Sequence, residues 1–221
     1  MYKYKRLTLL CGHYGSGKTN IAVNMAFDLK KSYNNICVAD LDIVNPYFRT
    51  KDSENEFREN GIRLICSEFA SSNVDLPSLP EDLYAITDDK SMNVVLDIGG
   101  DDRGALVLGR LAPKIIEENN YDMLLVVNKY RPLTPDVKST IEVVREIENA
   151  CHISFTGIIN NSNLAEETTK DIVLSSKSYA DDLSKELKIP VVLTTVKEDL
   201  YDELKEEISN LFSLKLQAKP I

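Results

Sequence analysis

Residues Leu7 to Thr19 read LTLLCGHYGSGKT, and this stretch decides the fold. A run of strand character, Leu7-Thr8-Leu9-Leu10-Cys11, breaks at Gly12, Gly15 and Gly17. It then continues through Lys18 and Thr19 into apolar positions of helical spacing, Ile21, Ala22, Met25, Ala26 and Leu29. The reading is strand, glycine loop, helix. Gly12-His13-Tyr14-Gly15-Ser16-Gly17-Lys18-Thr19 satisfies the pattern G-x-x-x-x-G-K-[ST], in which every fixed position has a physical duty. The glycines permit positive φ, so that successive backbone N–H groups curl toward one anionic centre. A helix opening near Lys18 adds the positive end of its dipole. Lys18 supplies a mobile ammonium for β- and γ-phosphates, and Thr19 a hydroxyl for direct ligation of Mg²⁺.

Outward from this loop, Ile36-Cys37-Val38-Ala39 reads as a short buried strand that runs into Asp40-Leu41-Asp42 and then Ile43-Val44-Asn45-Pro46-Tyr47-Phe48-Arg49-Thr50. Carboxylates at the carboxyl end of a strand beside a phosphate loop stand where an open α/β sheet binds its ligand. A second such stretch is Asn93-Val94-Val95-Leu96-Asp97-Ile98-Gly99-Gly100, followed by the polar turn Asp101-Asp102-Arg103-Gly104. Asp97 closing a buried strand suits a carboxylate that holds a Mg²⁺-bound water, and the Gly100 N–H suits a γ-phosphate.

The remainder alternates strand and helix. Ser53 caps a helix through Phe57 and Arg58 that Asn60-Gly61 stops, and Ile62 to Cys66 is a strand. Ser67 to Pro80 reads as a long exposed loop, a length that often carries function. A helix from about Gly104 is perturbed at Pro113, and Tyr121 to Asn128 is a strand. Thr134-Pro135-Asp136 caps the next helix with Pro at its first position, and Val137, Ile141, Val144 and Ile147 mark the apolar face. Ile153 to Asn161 is a strand, Ile172, Ser176, Tyr179, Leu183 and Leu187 share one helix face, and Pro190 to Val196 is a strand. Thr195-x-x-Glu198 forms a capping box for a final helix carrying Leu200, Leu204, Ile208 and Leu211. With Phe212, Leu214 and Lys215 that helix has the pattern of a membrane-surface anchor, but a terminal helix packed on a sheet gives the same pattern, and its basic face is thin. Alternation of this kind predicts an α/β fold in three layers, a mostly parallel central sheet flanked by helices.

At 221 residues the chain suits one nucleotide-binding domain spanning 1–221. Asp and Glu number 35 against 26 Lys and Arg, for a net charge of −9, which disfavours nucleic acid and anionic membrane as partners. No stretch approaches the roughly 20 apolar residues of a membrane span, and the expectation is a cytoplasmic protein without stable membrane association. The four cysteines, Cys11, Cys37, Cys66 and Cys151, lie far apart with no C-x-x-C pair, and His13 and His152 are the only histidines. They read as small buried hydrophobes rather than metal or redox groups.

GHYGSGKT, DLDIVNP and VVLDIGG together resemble the P-loop NTPase class that contains MinD, ParA, the nitrogenase iron protein and the CobQ/CobB amidoligases. The resemblance implies that the strand leading to Lys18 neighbours the Asp97 strand. It implies that Asp40 binds Mg²⁺ through water, that Asp42 orients the attacking water, and that Asp97 is a further Mg²⁺ carboxylate. The expected metal set is therefore Thr19, Asp40 and Asp97, and the expected catalytic pair Lys18 and Asp42. The nucleotide set is Gly12, His13, Tyr14, Gly15, Ser16, Gly17, Lys18, Thr19, Asn20, Gly100 and Asn161. Asn161 enters because Gly157-Ile158-Ile159-Asn160-Asn161-Ser162 is similar to the adenine-contacting strand end of the iron protein, with Asn160 as the alternative one position away.

Two departures bear on chemistry. Asn128-Lys129 resembles the guanine-reading N-K-x-D of GTPases, yet the fourth position is Arg131 and lacks the carboxylate, so ATP is favoured over GTP. The second loop position, a lysine in MinD, ParA and the iron protein that reaches the partner's phosphates across a dimer, is His13 here. Imidazole is mostly neutral at pH 7, so that cross-dimer role does not carry over. Arg49 and Arg103 stand as replacements for the charge, or as surface ion pairs.

The expected activity is a Mg²⁺-dependent ATPase switch whose segments Asp40 to Thr50 and Asp97 to Gly104 change with the γ-phosphate. A protein partner or a second copy would read the change. Tyr47, Phe48 and the Ser67 to Pro80 loop are candidate contact surfaces. Three rivals remain: an amidoligase-type enzyme that phosphorylates a small carboxylic acid, an ATP-holding assembly factor with little turnover, and a metallochaperone GTPase. The last is disfavoured by the lack of His and Cys clusters.

Overall fold

Every residue of the first two apolar runs is buried, which explains why they read as continuous rather than alternating: strands covered on both faces have no polar side. The computed structural model describes residues 2–41, 53–66, 81–100 and 102–216. In chain order these form β1 (Leu7–Cys11), α1 (Lys18–Lys30), β2 (Ile36–Leu41), α2 (Glu54–Glu59), β3 (Ile62–Cys66), α3 (Glu81–Asp88), β4 (Asn93–Ile98), α4 (Asp102–Glu118), β5 (Tyr121–Val127) and α5 (Val137–Cys151). They continue with β6 (Gly157–Asn160), α6 (Lys170–Ser175), α7 (Lys177–Leu187), β7 (Val191–Lys197), α8 (Glu198–Leu204) and β8 (Leu211–Leu214). The eight strands make one sheet in the order β3-β2-β4-β1-β5-β6-β7-β8, and every pairing is parallel.

Strand alternation assigns the two faces. Leu7, Leu9, Cys11, Val94 and Leu96 meet α3, α4, α5 and α7 through Leu83, Leu108, Leu111, Val144 and Leu183. Leu10, Val38, Val95 and Leu124 meet Ile21, Ala22, Met25 and Leu29 of α1, with Phe57 of α2 and Leu214 of β8 completing that layer. The fold is thus the three-layer P-loop NTPase arrangement. β1 lies between β4 and β5; the crossover leaving β1 goes to β2 on one side and the crossover leaving β5 goes to β6 on the other, so the crevice at their carboxyl ends is the topological switch point where such sheets take ligands.

Several boundaries differ from the sequence reading. Asp136, not Thr134, is the N-cap of α5: its carboxylate accepts from Ser139 N at 2.9 Å. Pro135 therefore precedes the cap. The strand expected from Ile153 begins only at Gly157, and the single face drawn from Ile172 to Leu187 is divided at Ser176 into α6 and α7. Thr195 is no capping residue, because it lies within β7. The final helix ends at Leu204, and Leu211 opens an eighth strand parallel to β7. Leu204 and Ile208 pack with Val173 and Val196, so the pattern that resembled a surface anchor is core. Among the described residues no helix is long and apolar enough to cross a membrane.

Candidate nucleotide-binding site

The glycine loop is clasped from three sides, and each clasp explains a residue. A methyl built on Gly12 would lie 2.3 Å from the Val126 carbonyl oxygen of β5. One on Gly100, just past β4, would lie 2.5 Å from Tyr14 N and 2.9 Å from Gly12 O. Gly17 has φ of +92° and would place a methyl 2.2 Å from Asn161 Nδ2. Only hydrogen fits at these points, and at Gly17 the left-handed backbone excludes a side chain a second time.

Inside this clasp the chain turns on itself, Ser16 N donating to His13 O at 3.2 Å. Gly17 is the N-cap of α1, whose first turn carries no acidic residue, so the positive helix end faces the loop without an internal counter-charge. Lys18 is buried, and its ammonium donates to Gly12 O at 3.0 Å and His13 O at 3.3 Å. Ser16 Oγ is buried without a hydrogen-bond partner among the described residues. A buried hydroxyl in that position costs free energy unless a ligand takes it up. These features fit a phosphate chain held by backbone N–H groups, one hydroxyl and one ammonium.

The carboxylates fit a hard cation beside it. Asp40 and Asp97 are register partners on adjacent parallel strands, hence on the same face of the sheet. Both share parity with Val38 and Val95, which pack against α1, so the pair lies on the face where α1 presents Thr19. Asp40, Asp97 and Thr19 are all buried. Among the described residues no three His, Cys, Asp or Glu side chains cluster as a metal site. Two carboxylates and a hydroxyl make an all-oxygen set of the kind that suits Mg²⁺, which completes its shell with water and phosphate oxygens. Asp42, Tyr47, Phe48, Arg49 and the 67–80 loop lie outside the described residues, as does the side chain of Arg103.

Asn161 sits on the loop itself. Its Nδ2 donates to Ser16 O at 2.6 Å, and its Oδ1 accepts from Thr195 Oγ1 at 2.6 Å. Asn160 points elsewhere, donating to Ser176 Oγ at 2.9 Å. Of the two asparagines, Asn161 is thus the one that touches the glycine loop. Sequence reading missed Thr195 as its support, since the T-x-x-E spacing advertised a cap.

The turn after β5 forms the remaining wall. Asn128 is fully buried, and its Oδ1 accepts from Tyr130 N at 3.0 Å and Asn163 N at 3.3 Å while its Nδ2 donates to Asn163 O at 3.1 Å. Lys129 donates to Ser175 O at 3.4 Å, away from the loop. His13 Nδ1 lies 3.1 Å from Tyr14 O, and Tyr14 is 48% exposed at the mouth. Asn20 is half-buried in the first turn of α1. Burial pushes the Cys11 thiol well above its usual range and that of Cys37 up to about 12, so neither supplies a thiolate at neutral pH.

The CbiA family, the CobQ/CobB/MinD/ParA nucleotide binding domain, matches residues 11–218. No curated protein sequence matches the chain. Among solved structures, FtsY of Thermotoga maritima aligns with a TM-score of 0.55 at 18% identity, over 86% of this chain and 61% of that one. FtsY of Mycoplasma mycoides gives 0.53 at 19%, over 88% and 62%. FlhF complexed with GTP and Mg²⁺ gives 0.55 at 13%, over 87% and 66%. The chain thus spans about three-fifths of the FtsY chains, and at these identities the likeness is one of fold. With the glycine loop, the paired carboxylates and a family match covering nearly the whole sequence, the chain belongs to the CobQ/CobB/MinD/ParA nucleotide binding domain family.

Proposed function

We propose that this protein, as a single domain, is a Mg²⁺-dependent ATPase that works as a nucleotide switch read by a protein partner or a second copy. The observation that carries the reading is the register of Asp40 with Asp97, because it puts two buried carboxylates on the sheet face covered by α1, the helix that opens with Lys18 and Thr19. Thr19, Asp40 and Asp97 would hold Mg²⁺ directly or through water, and the ion when bound neutralises charge on the phosphate oxygens. Lys18, already held over the loop by two carbonyls, exchanges these for phosphate oxygens. Gly100 touches the loop, so a change at one is felt at the other, and Asp97 and Gly100 share one strand end. Asp42, two residues beyond Asp40, is the residue proposed to orient water.

ATP is preferred over GTP on chemical grounds. Guanine selection needs an acceptor for its N1–H and amino group, whereas Arg131 presents only donors. The Asn128 amide is committed to Tyr130 and Asn163. The GTP in the FlhF structure belongs to that protein. Support for a partner comes from exposed apolar side chains at the carboxyl ends of successive strands, Tyr14 after β1, Leu133 after β5 and Leu164 after β6.

The test is binding and phosphate release with MgATP and MgGTP, on wild type, Lys18→Ala and Asp42→Ala, over a protein concentration series. Wild type is expected to bind ATP in preference and release phosphate. Lys18→Ala should lose binding, Asp42→Ala should keep binding and lose release, and chelation of Mg²⁺ by EDTA should stop turnover. Binding of ATP without Asp42-dependent release overturns the switch.

A further inference from the structure

We infer that Arg131 is a phosphate-contacting residue of the nucleotide site, supplied in cis from the turn after β5; this rests on the nucleotide-binding reading above. A methyl built on Gly15, the middle glycine of the loop, would lie 3.5 Å from Arg131 Nε, 3.7 Å from Cζ and 3.8 Å from Cδ. The guanidinium therefore lies alongside the loop, on the segment whose N–H groups turn toward the phosphates. It is exposed, and among the described residues it makes no hydrogen bond or ion pair of its own.

The backbone beneath it is the opposite of loose. Arg131 N donates to Asn128 O at 3.1 Å, and Thr134 N donates to Arg131 O at 3.1 Å. Buried Thr134 closes the turn through its hydroxyl to Asn128 O at 2.9 Å, and the Tyr130 hydroxyl donates to Ile172 O at 3.0 Å. A turn pinned by two buried polar residues thus carries one unengaged cation, aimed at the phosphate loop. In a chain of net charge −9, attraction for a polyanion has to come from such local cations. A guanidinium suits the task because its fork of donors matches phosphate oxygens.

The position was legible only as a departure: Arg131 fills the place where a guanine-reading carboxylate would stand. The structure shows what the departure puts there instead.

The test is equilibrium binding of ATP, ADP and AMP with Mg²⁺ to wild type, Arg131→Ala, Arg131→Lys and Lys18→Ala, with melting of each apo protein. Arg131→Ala should weaken ATP about 10-fold, the scale of one charge-assisted contact at a partly exposed site, with progressively smaller losses for ADP and AMP. Arg131→Lys should recover most of the ATP affinity, since a cation is restored. Apo melting should not move, because the side chain bonds nothing within the protein. Equal affinities of Arg131→Ala and wild type, beside a Lys18→Ala protein that no longer binds, overturn the inference and leave the parent reading intact. An equal loss for ATP and AMP also overturns it, by locating the contact at the base, the ribose or the α-phosphate instead of the β- and γ-phosphates that the graded losses require. Absence of nucleotide binding in wild type overturns both.

Discussion

Gly17 and Asn161 show how tightly a single residue is held here. Gly17 has φ of +92°, and its α-carbon faces the Asn161 amide, which is itself fixed at both ends by Ser16 O and Thr195 Oγ1. Gly17→Ala incurs about 1–2 kcal/mol for a side chain in the left-handed region. It must also displace Asn161 and break hydrogen bonds worth about 1 kcal/mol each. The expected total is about 3 kcal/mol by urea denaturation. In an Asn161→Ala background the clash is gone, and Gly17→Ala should cost only the backbone part, so the two changes are non-additive by about 1 kcal/mol or more. Strict additivity would mean that Asn161 does not confine the loop. The sequence marked both residues for contact with nucleotide. That they also contact each other, across 144 positions of chain, follows from β6 ending beside the loop and from no local pattern.

At the scale of elements, what the sequence disclosed depended on whether a signal was local. β1, the loop and α1 were readable because glycines, an apolar run and helical spacing follow one another within one segment. The same holds for β2 and β4, whose terminal carboxylates interrupt apolar runs. The α5 cap was misplaced because Thr134 and Asp136 both offer a capping oxygen two residues apart, and Thr134 is committed to Asn128 O. β8 was missed because Leu204, Ile208 and Leu211 keep helical spacing across a helix end. Least visible was the joint opposite the nucleotide site. Arg6, before β1, is buried and donates to Ile86 O, Asp89 O and Met92 O at 3.1, 3.2 and 3.0 Å, tying the end of α3 to the start of β4. It also pairs with Glu118 at the end of α4, which Lys90 holds from the other side at 2.6 Å. The Arg6 hydrogen bonds, with help from Lys90, keep the Glu118 carboxyl below its ordinary 4.5. A depressed carboxyl stabilises the folded state above its unfolded value, and the gain is lost as pH falls through the folded value. Glu118→Gln should therefore be less stable than wild type by about 2 kcal/mol at pH 7. The gap should close as pH drops below about 4.5. Parallel acid-unfolding curves that never converge would assign the stabilisation to packing instead of charge.

For the whole molecule, the sheet couples its far edge to the loop. Thr195 on β7 holds Asn161, Asn161 holds Ser16, and β7 is kept in place by its pairing with β8 and by Asn210, the residue before β8, whose carbonyl accepts from Thr194 N at 2.9 Å. β8 is in turn clasped to α1: Lys215 N donates to Asn24 Oδ1 at 2.9 Å, and Asn24 Nδ2 to Lys215 O at 3.0 Å. One path therefore runs from the edge strand to the phosphate loop through β7, and another through α1, the helix that opens with Lys18 and Thr19. A chain ending at Ser209 would lose the buried Leu214 from the α1 layer, worth about 2 kcal/mol, together with both clasps. It should unfold at lower urea, and it should also bind MgATP more weakly than the full chain. Thr195→Val separates the two consequences, because it keeps the edge strand and removes only the hydroxyl that steadies Asn161. That variant should recover most of the lost stability but retain the weakened binding. If truncation lowers stability while MgATP affinity stays unchanged in both proteins, the edge of the sheet serves folding alone and the path through Thr195 carries nothing to the site.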